Sequence, residues 1–187
     1  MKKKQKQLIA ELANQYGRQV FSTAYRIVGD SHHAEDITQD IYMKLFKKTP
    51  KAFDKVNNWA AYLTTMATSA SLDLLRKKHR LSEQSLVEDG SCDNVLSIHS
   101  KPEPTPEKQF SLTQDIQQLR HALTKVTEQE AKVFVLRFVE ELSYDDIAQH
   151  LALTSGNVGI ILNRTRQKLA RLLSHSQNTG EKHEAHS

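Results

Sequence analysis

Apolar residues recur at spacings of three and four through most of the chain, and no useful stretch alternates apolar with polar residues as a half-buried strand would. The pattern predicts an all-α protein. Leu8, Leu12 and Tyr16, then Phe21, Ala24, Tyr25 and Val28, mark helical faces running up to Gly29. Gly29-Asp30-Ser31 is a stop followed by a start, with Gly as C-cap and Asp30 or Ser31 as N-cap. The next helix carries the apolar row Ala34, Ile37, Ile41 and Leu45, and its Glu35 and Asp36 suit the positive end of a helix dipole. Pro50 ends it, and a loop from Lys51 to Val56 leads to Asn57 or Asn58, either able to cap a third helix. There Leu63, Met66, Ala67, Ala70 and Leu74 pack, and the helix ends at Arg76-Lys77-Lys78-His79-Arg80.

The periodicity fails between residues 82 and 109, where Pro102, Pro104 and Pro106 alternate among acidic and small polar residues. This predicts a flexible linker. A second helical unit follows, with Ile116, Leu119 and Leu123 on one face and a capping box at Thr127-Glu128-Gln129-Glu130. The helix opened by that box carries Val133, Phe134, Leu136, Arg137 and Phe138. The expected layout is therefore a domain over 1–81, the linker 82–109, a domain over 110–175 and a disordered tail over 176–187.

Residues 143 to 173 predict a helix-turn-helix. Ser143 with Asp146 caps a short helix bearing Ile147, Ala148 and Leu151; a four-residue break then reaches Ser155, which can cap a second helix. Val158, Leu162, Thr165, Leu169 and Leu172 line one face of that helix, while Asn163, Arg164, Arg166, Gln167, Lys168 and Arg171 crowd the others. A short helix crossing the backbone and a cationic one in the major groove is how this motif docks on DNA. Ala152 stands at the turn position where glycine is frequent, and a non-glycine residue at positive φ costs about 1 kcal/mol.

Charge and composition narrow the function. The net charge of +4 is uneven: residues 1–81 hold 15 Lys/Arg against 7 Asp/Glu, and residues 82–109 hold 2 against 6. A basic first third suits phosphate neutralisation. The single cysteine, Cys92, allows no internal disulfide, which favours a reducing compartment and hence the cytoplasm. No apolar run is long enough to span a bilayer or serve as a secretory signal. Catalysis needs convergent nucleophile, base, paired carboxylates or metal ligands, and the residues offer no such constellation, so no catalytic residue, metal or cofactor is expected.

Together these segments resemble bacterial RNA polymerase sigma factors, specifically the small two-domain extracytoplasmic-function group. The likeness is carried by AYRIVGDSHHAEDITQDIYMKLFKK, YLTTMATSASLDLLRKKHR and LTKVTEQEAKVFVLRFVEELSYDDIAQHLALTSGNVGIILNRTRQKLARLL, in that order and separated by a variable acidic linker. The resemblance implies a protein that binds core RNA polymerase, recognises −35 and −10 promoter elements and promotes promoter opening. It implies docking of Asp36, Gln39, Asp40 and Met43 on the β′ clamp helices, with a further contact to the β flap. It implies capture of the opened −10 strand by Phe53, Asn57, Asn58, Trp59, Thr65, Thr68, Ser69, Arg76, Lys77, Lys78 and Arg80. It implies −35 contacts from Ser143, Ser155, Asn157, Gly159, Ile160, Asn163, Arg164, Arg166 and Lys168. Relatives often carry Arg or Asn where this chain has Thr65, Thr68 and Ser69, and basic residues where it has Gly159 and Ile161. An anti-sigma protein is the further partner the resemblance suggests; no small-molecule substrate and no membrane insertion are expected. The alternative is a helix-turn-helix regulator that binds duplex DNA without engaging polymerase.

Overall fold

The computed structural model describes residues 2–89 and 106–180, which form eight helices and no strands. They are α1 (Lys2–Val28), α2 (Ser31–Lys47), α3 (Pro50–Phe53), α4 (Trp59–Asp89), α5 (Pro106–Lys125), α6 (Glu128–Phe138), α7 (Tyr144–Leu151) and α8 (Ser155–Gly180).

The first core gathers Ile9, Leu12, Val20 and Ala24 from α1, Ala34, Ile37, Ile41 and Leu45 from α2, Phe53 from α3, and Leu63 and Ala67 from α4. The apolar row expected on α2 is the row that is buried. Gly29 ends α1 at φ 76°, a conformation only glycine adopts without strain, and its N–H reaches the Tyr25 carbonyl at 2.8 Å. Asp30 then caps α2, its carboxylate accepting from the His33 N–H at 2.8 Å; that hydrogen bond holds its pKa below the ordinary value. Asn58 caps α4, its side-chain oxygen accepting from the Ala61 N–H at 3.1 Å.

Several boundaries differ from the expectation. Because α2 begins at Ser31, Glu35 and Asp36 sit beyond its first turn, where the dipole matters little. The expected loop after Pro50 holds α3, with Pro50 in the first turn where its missing N–H costs nothing. The basic run Arg76–Arg80 lies inside α4, which continues to Asp89 because nothing before Gly90 breaks it. Helical backbone therefore enters both ends of the segment expected as a linker, and α5 opens at Pro106. Cys92, Pro102 and Pro104 lie outside the described residues. Likewise α8 runs to Gly180, into the segment expected as a disordered tail; residues 181–187 lie outside the described residues.

The second core joins Val133 and Leu136 of α6, Ile147 and Ala148 of α7, and Val158 and Leu162 of α8. The capping box forms in full: Thr127 Oγ1 accepts from the Glu130 N–H at 3.3 Å, and Glu130 accepts from the Thr127 N–H at 3.0 Å. Ile116, placed by periodicity on the packed face of α5, is exposed.

A third cluster was not foreseen. Ile27 of α1 and Leu72 of α4 pack with Ala122, Leu123, Val126, Ala131, Val135 and Leu169 of the C-terminal unit. The two helical units thus share an apolar contact instead of hanging freely from a linker.

Candidate nucleic-acid interface

The helix-turn-helix is built from α7 and α8. Ser143 caps α7, accepting from the Asp146 N–H at 3.0 Å while donating to its carboxylate at 2.6 Å. Ala152 takes the left-handed conformation, φ 54° and ψ 44°, as the turn demands, and the Leu153 N–H returns to the Ala148 carbonyl at 2.8 Å. A second left-handed residue, Glu141 at φ 56°, shapes the approach to α7. There Arg137 donates to the Leu142 carbonyl at 3.0 Å and lies over the Tyr144 ring at 5.3 Å.

On α8 the apolar stripe faces inward as expected: Val158, Leu162, Thr165 and Leu169 are buried. Asn157, Ile160, Asn163, Arg164, Arg166 and Lys168 are exposed, Ile160 to 67%. Two expectations need correction. Thr154, not Ser155, caps α8, its hydroxyl accepting from the Asn157 N–H at 3.2 Å. Ser155 instead donates to Asp145 at 2.5 Å, so it braces α8 against α7. Gly159 is half-buried beside α7, where a Cβ built on it would lie 3.6 Å from the Tyr144 ring. Lys168 has a protein partner as well, donating to Glu130 at 2.6 Å. Burial raises the pKa of Glu130, but the bonds from Lys168 and Thr127 outweigh it and leave the carboxyl below its ordinary value.

On α2, Asp36, Gln39, Asp40 and Met43 are all exposed, Met43 to 56%, with Phe46 exposed beside them. Acidic and apolar groups share this face, while the opposite side of α2 is buried.

The strand-capture residues divide. Asn57, Asn58, Lys77 and Arg80 are exposed and Lys78 is half-buried. Phe53 is a core residue, 5.5 Å from the Trp59 ring, which packs edge-on against Tyr62 at 5.7 Å. Phe53 therefore has no face left for a base. Thr65 and Thr68 are buried, Thr65 donating to the Ala61 carbonyl at 2.8 Å. Ser69 is half-buried in a shallow cleft of about 290 Å³ that also takes in Ile41, Tyr62, Met66 and His150.

The remaining residues of α4 meet the C-terminal unit. Asn58 donates to Asp146 of α7 at 3.3 Å, and the Tyr62 ring lies 6.1 Å from His150. Leu72 enters the shared apolar cluster. Both terminal nitrogens of Arg76 are buried without a hydrogen-bond partner, and Arg76 is close enough to Glu128 of α6 to lower the pKa of that carboxyl, after the larger effect of Lys132. His79 lies 4.7 Å from His121 of α5 with the rings tilted at 44°, and Glu83 pairs with Lys125 at 2.9 Å. Positions 58, 62, 72, 76, 79 and 83 make these contacts, and with the cleft residues 65 and 69 they recur at alternating spacings of four and three, one stripe along α4.

Two further contacts close the units together. Glu140, its side chain 3% exposed, accepts from Thr23 Oγ1 at 2.6 Å and from Arg26 at 3.1 Å. Arg120 donates to the Ile27 carbonyl at 2.8 Å and the Arg26 carbonyl at 3.1 Å, capping the end of α1 from the other unit. A Cβ at Gly29 would fall 2.4 Å from that guanidinium, so the approach depends on glycine twice over. Neither Arg120 nor Glu140 was singled out in the sequence, because a partner some 93 or 117 residues away leaves no local signal. Among the described residues no helix is long and apolar enough to cross a membrane, and no group of three His, Cys, Asp or Glu could hold a metal.

Comparison with known proteins matches this architecture unit by unit. The family "Sigma-70 region 2" matches residues 12–81 and "Sigma-70, region 4" matches residues 116–169. The chain is 29% identical over 172 residues to the ECF RNA polymerase sigma factor SigE of Mycolicibacterium smegmatis, covering 91% of this chain and 64% of that relative. It is 26% identical over 180 residues to the ECF RNA polymerase sigma factor SigW of Bacillus subtilis, covering 92% of each. In fold it is similar to the sigma factor RpoE from Bartonella quintana, solved in complex with the anti-sigma factor NepR, at a TM-score of 0.50 and 22% identity over 93% of this chain and 98% of that one. With α1–α4 matching region 2 and α5–α8 matching region 4, the chain belongs to the extracytoplasmic-function group of the sigma-70 family of RNA polymerase sigma factors.

Proposed function

We propose that the exposed face of α2 docks on the β′ clamp helices of core RNA polymerase while α8 reads the −35 duplex and α4 holds the opened −10 strand. The observation that carries this reading is the pair of outward faces of opposite character on the two units. Asp36, Asp40 and Met43 present acid and apolar surface, and Arg164, Arg166 and Asn163 present cation and amide. A regulator that only binds duplex DNA has a use for the second face and none for the first.

Within the −35 contact, Arg164 and Arg166 meet phosphate, which positions the helix without reading sequence. Asn157, Ile160 and Asn163 meet base edges, with Ile160 suited to a thymine methyl. Ser143, exposed at the start of α7, adds a phosphate contact from its helix terminus. At the −10 element, Asn57 and Asn58 offer amides to a displaced base, while Arg76, Lys77, Lys78 and Arg80 follow the backbone. Phe138, exposed beside Arg166 at 5.9 Å, is the apolar group on region 4 that suits the β flap. An anti-sigma protein completes the partners, and the chain acts in the cytoplasm, where polymerase and chromosome meet. It performs no bond chemistry of its own.

The test is co-migration of the full chain with sigma-free core RNA polymerase on a sizing column. The native chain is expected to form a stable complex. Substituting Asp36, Gln39 and Asp40 by Lys is expected to abolish it, because like charges facing a basic partner cost several kcal/mol. Duplex binding by α8 is expected to survive the same substitutions. A complex that persists in the triple variant removes the clamp-helix assignment.

A further inference from the structure

Lys168 stands among the cations of α8, where the sequence assigns it to DNA, yet its ammonium is engaged within the fold. It donates to Oε1 of Glu130 at 2.6 Å, across 38 residues of chain. The other carboxylate oxygen of Glu130 closes the capping box of α6, accepting from the Thr127 N–H at 3.0 Å and the Thr127 hydroxyl at 3.1 Å. One carboxylate thus serves two elements, one oxygen starting α6 and the other holding α8. We infer that Lys168 is a positioning residue for −35 recognition, which fixes the seat of α8 on α6 through Glu130 and does not itself bind phosphate. This rests on the assignment of α8 to the −35 duplex.

The unequal exposure of the two partners decides between the roles. The side chain of Glu130 is 8% exposed and that of Lys168 is 44% exposed. If Lys168 turned outward to a phosphate, the carboxylate would stay behind, buried and without its cation. That is far costlier than leaving a solvated ammonium unpaired. The place of Lys168 along the helix gives the bond its use. The first turns of α8 are held by the cap at Thr154, by Ser155 on Asp145 and by Gly159 beside Tyr144. The exposed Asn157, Ile160 and Asn163 belong to those turns and the one that follows. Beyond them Leu169 packs with Ala122, Ala131 and Val135, but apolar contact is non-directional and tolerates a small roll of the helix about its axis. The bond from Lys168, the neighbour of Leu169, is directional and charge-assisted, so it stops the roll. A roll of α8 would carry every outward side chain with it. Hydrogen bonds to base edges weaken steeply with misalignment, whereas long arginine side chains can still follow a phosphate.

Duplex affinity and its salt dependence separate positioning from phosphate contact. The full chain is titrated with a duplex it has enriched from a randomised pool and with a scrambled duplex. Circular dichroism and urea unfolding show that each variant is folded under the assay conditions. Lys168→Met keeps the apolar stem and removes the charge. It is expected to lower the preference for the enriched duplex about tenfold, as the loss of one base contact does, and to leave the logarithmic salt slope unchanged. Glu130→Gln keeps the capping box, which Gln also closes, and removes the anchor of Lys168. It is expected to lower the preference by the same factor, with no further loss in the double variant, because both substitutions delete one bond. A phosphate-binding Lys168 gives other signs. The salt slope becomes shallower by about one in Lys168→Met, and Glu130→Gln frees the ammonium and tightens binding to both duplexes. Either result overturns the inference. A loss shared equally by the two duplexes, with the preference kept, overturns it as well, because a merely loosened domain behaves that way. Arg164→Ala tests the parent reading: a salt slope that ignores it, or a pool from which no sequence is enriched, overturns the −35 assignment of α8 and the inference with it.

Discussion

Helices α8 and α4 each carry a run of cations and each is assigned to nucleic acid, yet they stand differently in the folded chain. On α8 one face is spent on Val158, Leu162, Thr165 and Leu169, and the rest points outward with Arg164 and Arg166 in solvent. On α4 the side turned toward α1 and α2 is buried, and a second stripe is covered by α5, α6 and α7. Only its exposed residues, such as Lys77 and Arg80, look out. A polar helix face that avoids its own core is thus not by itself a free face. The seat of α8 is fixed by short-range devices, the cap at Thr154, the turn at Ala152 and the brace from Ser155 to Asp145. α4 is seated on α1 and α2, and the cover on its second stripe comes from residues 42 to 88 positions further along the chain.

The contrast breaks most completely if the support of α8 is removed. Leu136 is fully buried in the cluster that joins α6, α7 and α8. Leu136→Ala is expected to cost about 2–5 kcal/mol through lost burial and the cavity left behind. That exceeds what any cap in this unit supplies, about 1 kcal/mol each. Urea unfolding of the full chain measures the loss, and duplex binding by α8 should fail with it. Core polymerase binding through α2 should outlast it, since α2 packs in a different cluster. A cost under 1 kcal/mol would mean that α8 does not depend on α6 in this way.

A smaller effect separates the open cations from the covered ones. Arg164→Ala removes an exposed charge from α8, so the dependence of duplex affinity on salt should become shallower by about one unit of logarithmic slope. Arg76→Ala should leave that slope unchanged in the free chain, because region 4 covers the guanidinium. Equal effects from the two substitutions would show that Arg76 reaches DNA as readily as Arg164, and the distinction between the helices would be lost.

Most of the local architecture was legible in the sequence. Periodicity placed the buried rows of α2 and α8, and turn chemistry placed Gly29, Asp30, Thr127 and Ser143 in the roles they play. The ends of α4 and α8 run further than the apolar periodicity predicts, because Ser, Glu and Gln continue a helix at little cost. In the site, exposure matched expectation where a residue's surroundings are helical neighbours, as at Asp36, Asp40, Asn163 and Arg164. It differed where distant chain decides: Phe53 went to the core, and Thr65 and Thr68 are buried. The contact stripe on α4 has heptad-like spacing that a reader of the sequence could have noticed. Its polar members, Asn58, Ser69, Arg76 and Glu83, disguise it as a solvated face.

The subtlest way to sharpen the comparison is pH, because the covered stripe carries histidines and the outward face of α8 does not. His121 lies against His79, with Lys125 and Glu83 beside them, and His150 faces Tyr62, Asp146 and the cleft that holds Lys44 and Asp73. Desolvation lowers the pKa of His121, and the nearby His79 and Lys125 lower it further against the opposing pull of Glu83. Desolvation also lowers that of His150, against the pull of Asp146. The arrangement with the two units packed together therefore binds fewer protons than one in which both rings meet water. Its advantage is complete above the ordinary value of 6.5 and is lost as pH falls through the lowered values. Energy transfer between dyes at Gln15→Cys on α1 and Ala170→Cys on α8, in a Cys92→Ser background, should decline as the solution is taken from neutrality to about pH 5, and His121→Gln should flatten part of that decline. Duplex binding by α8, which presents Arg164 and Arg166 and no histidine before its last turns, should not follow the same curve. A transfer signal that rises on acidification would mean that protonation tightens the contact, and that Glu83 outweighs desolvation at the junction of α4 and α5.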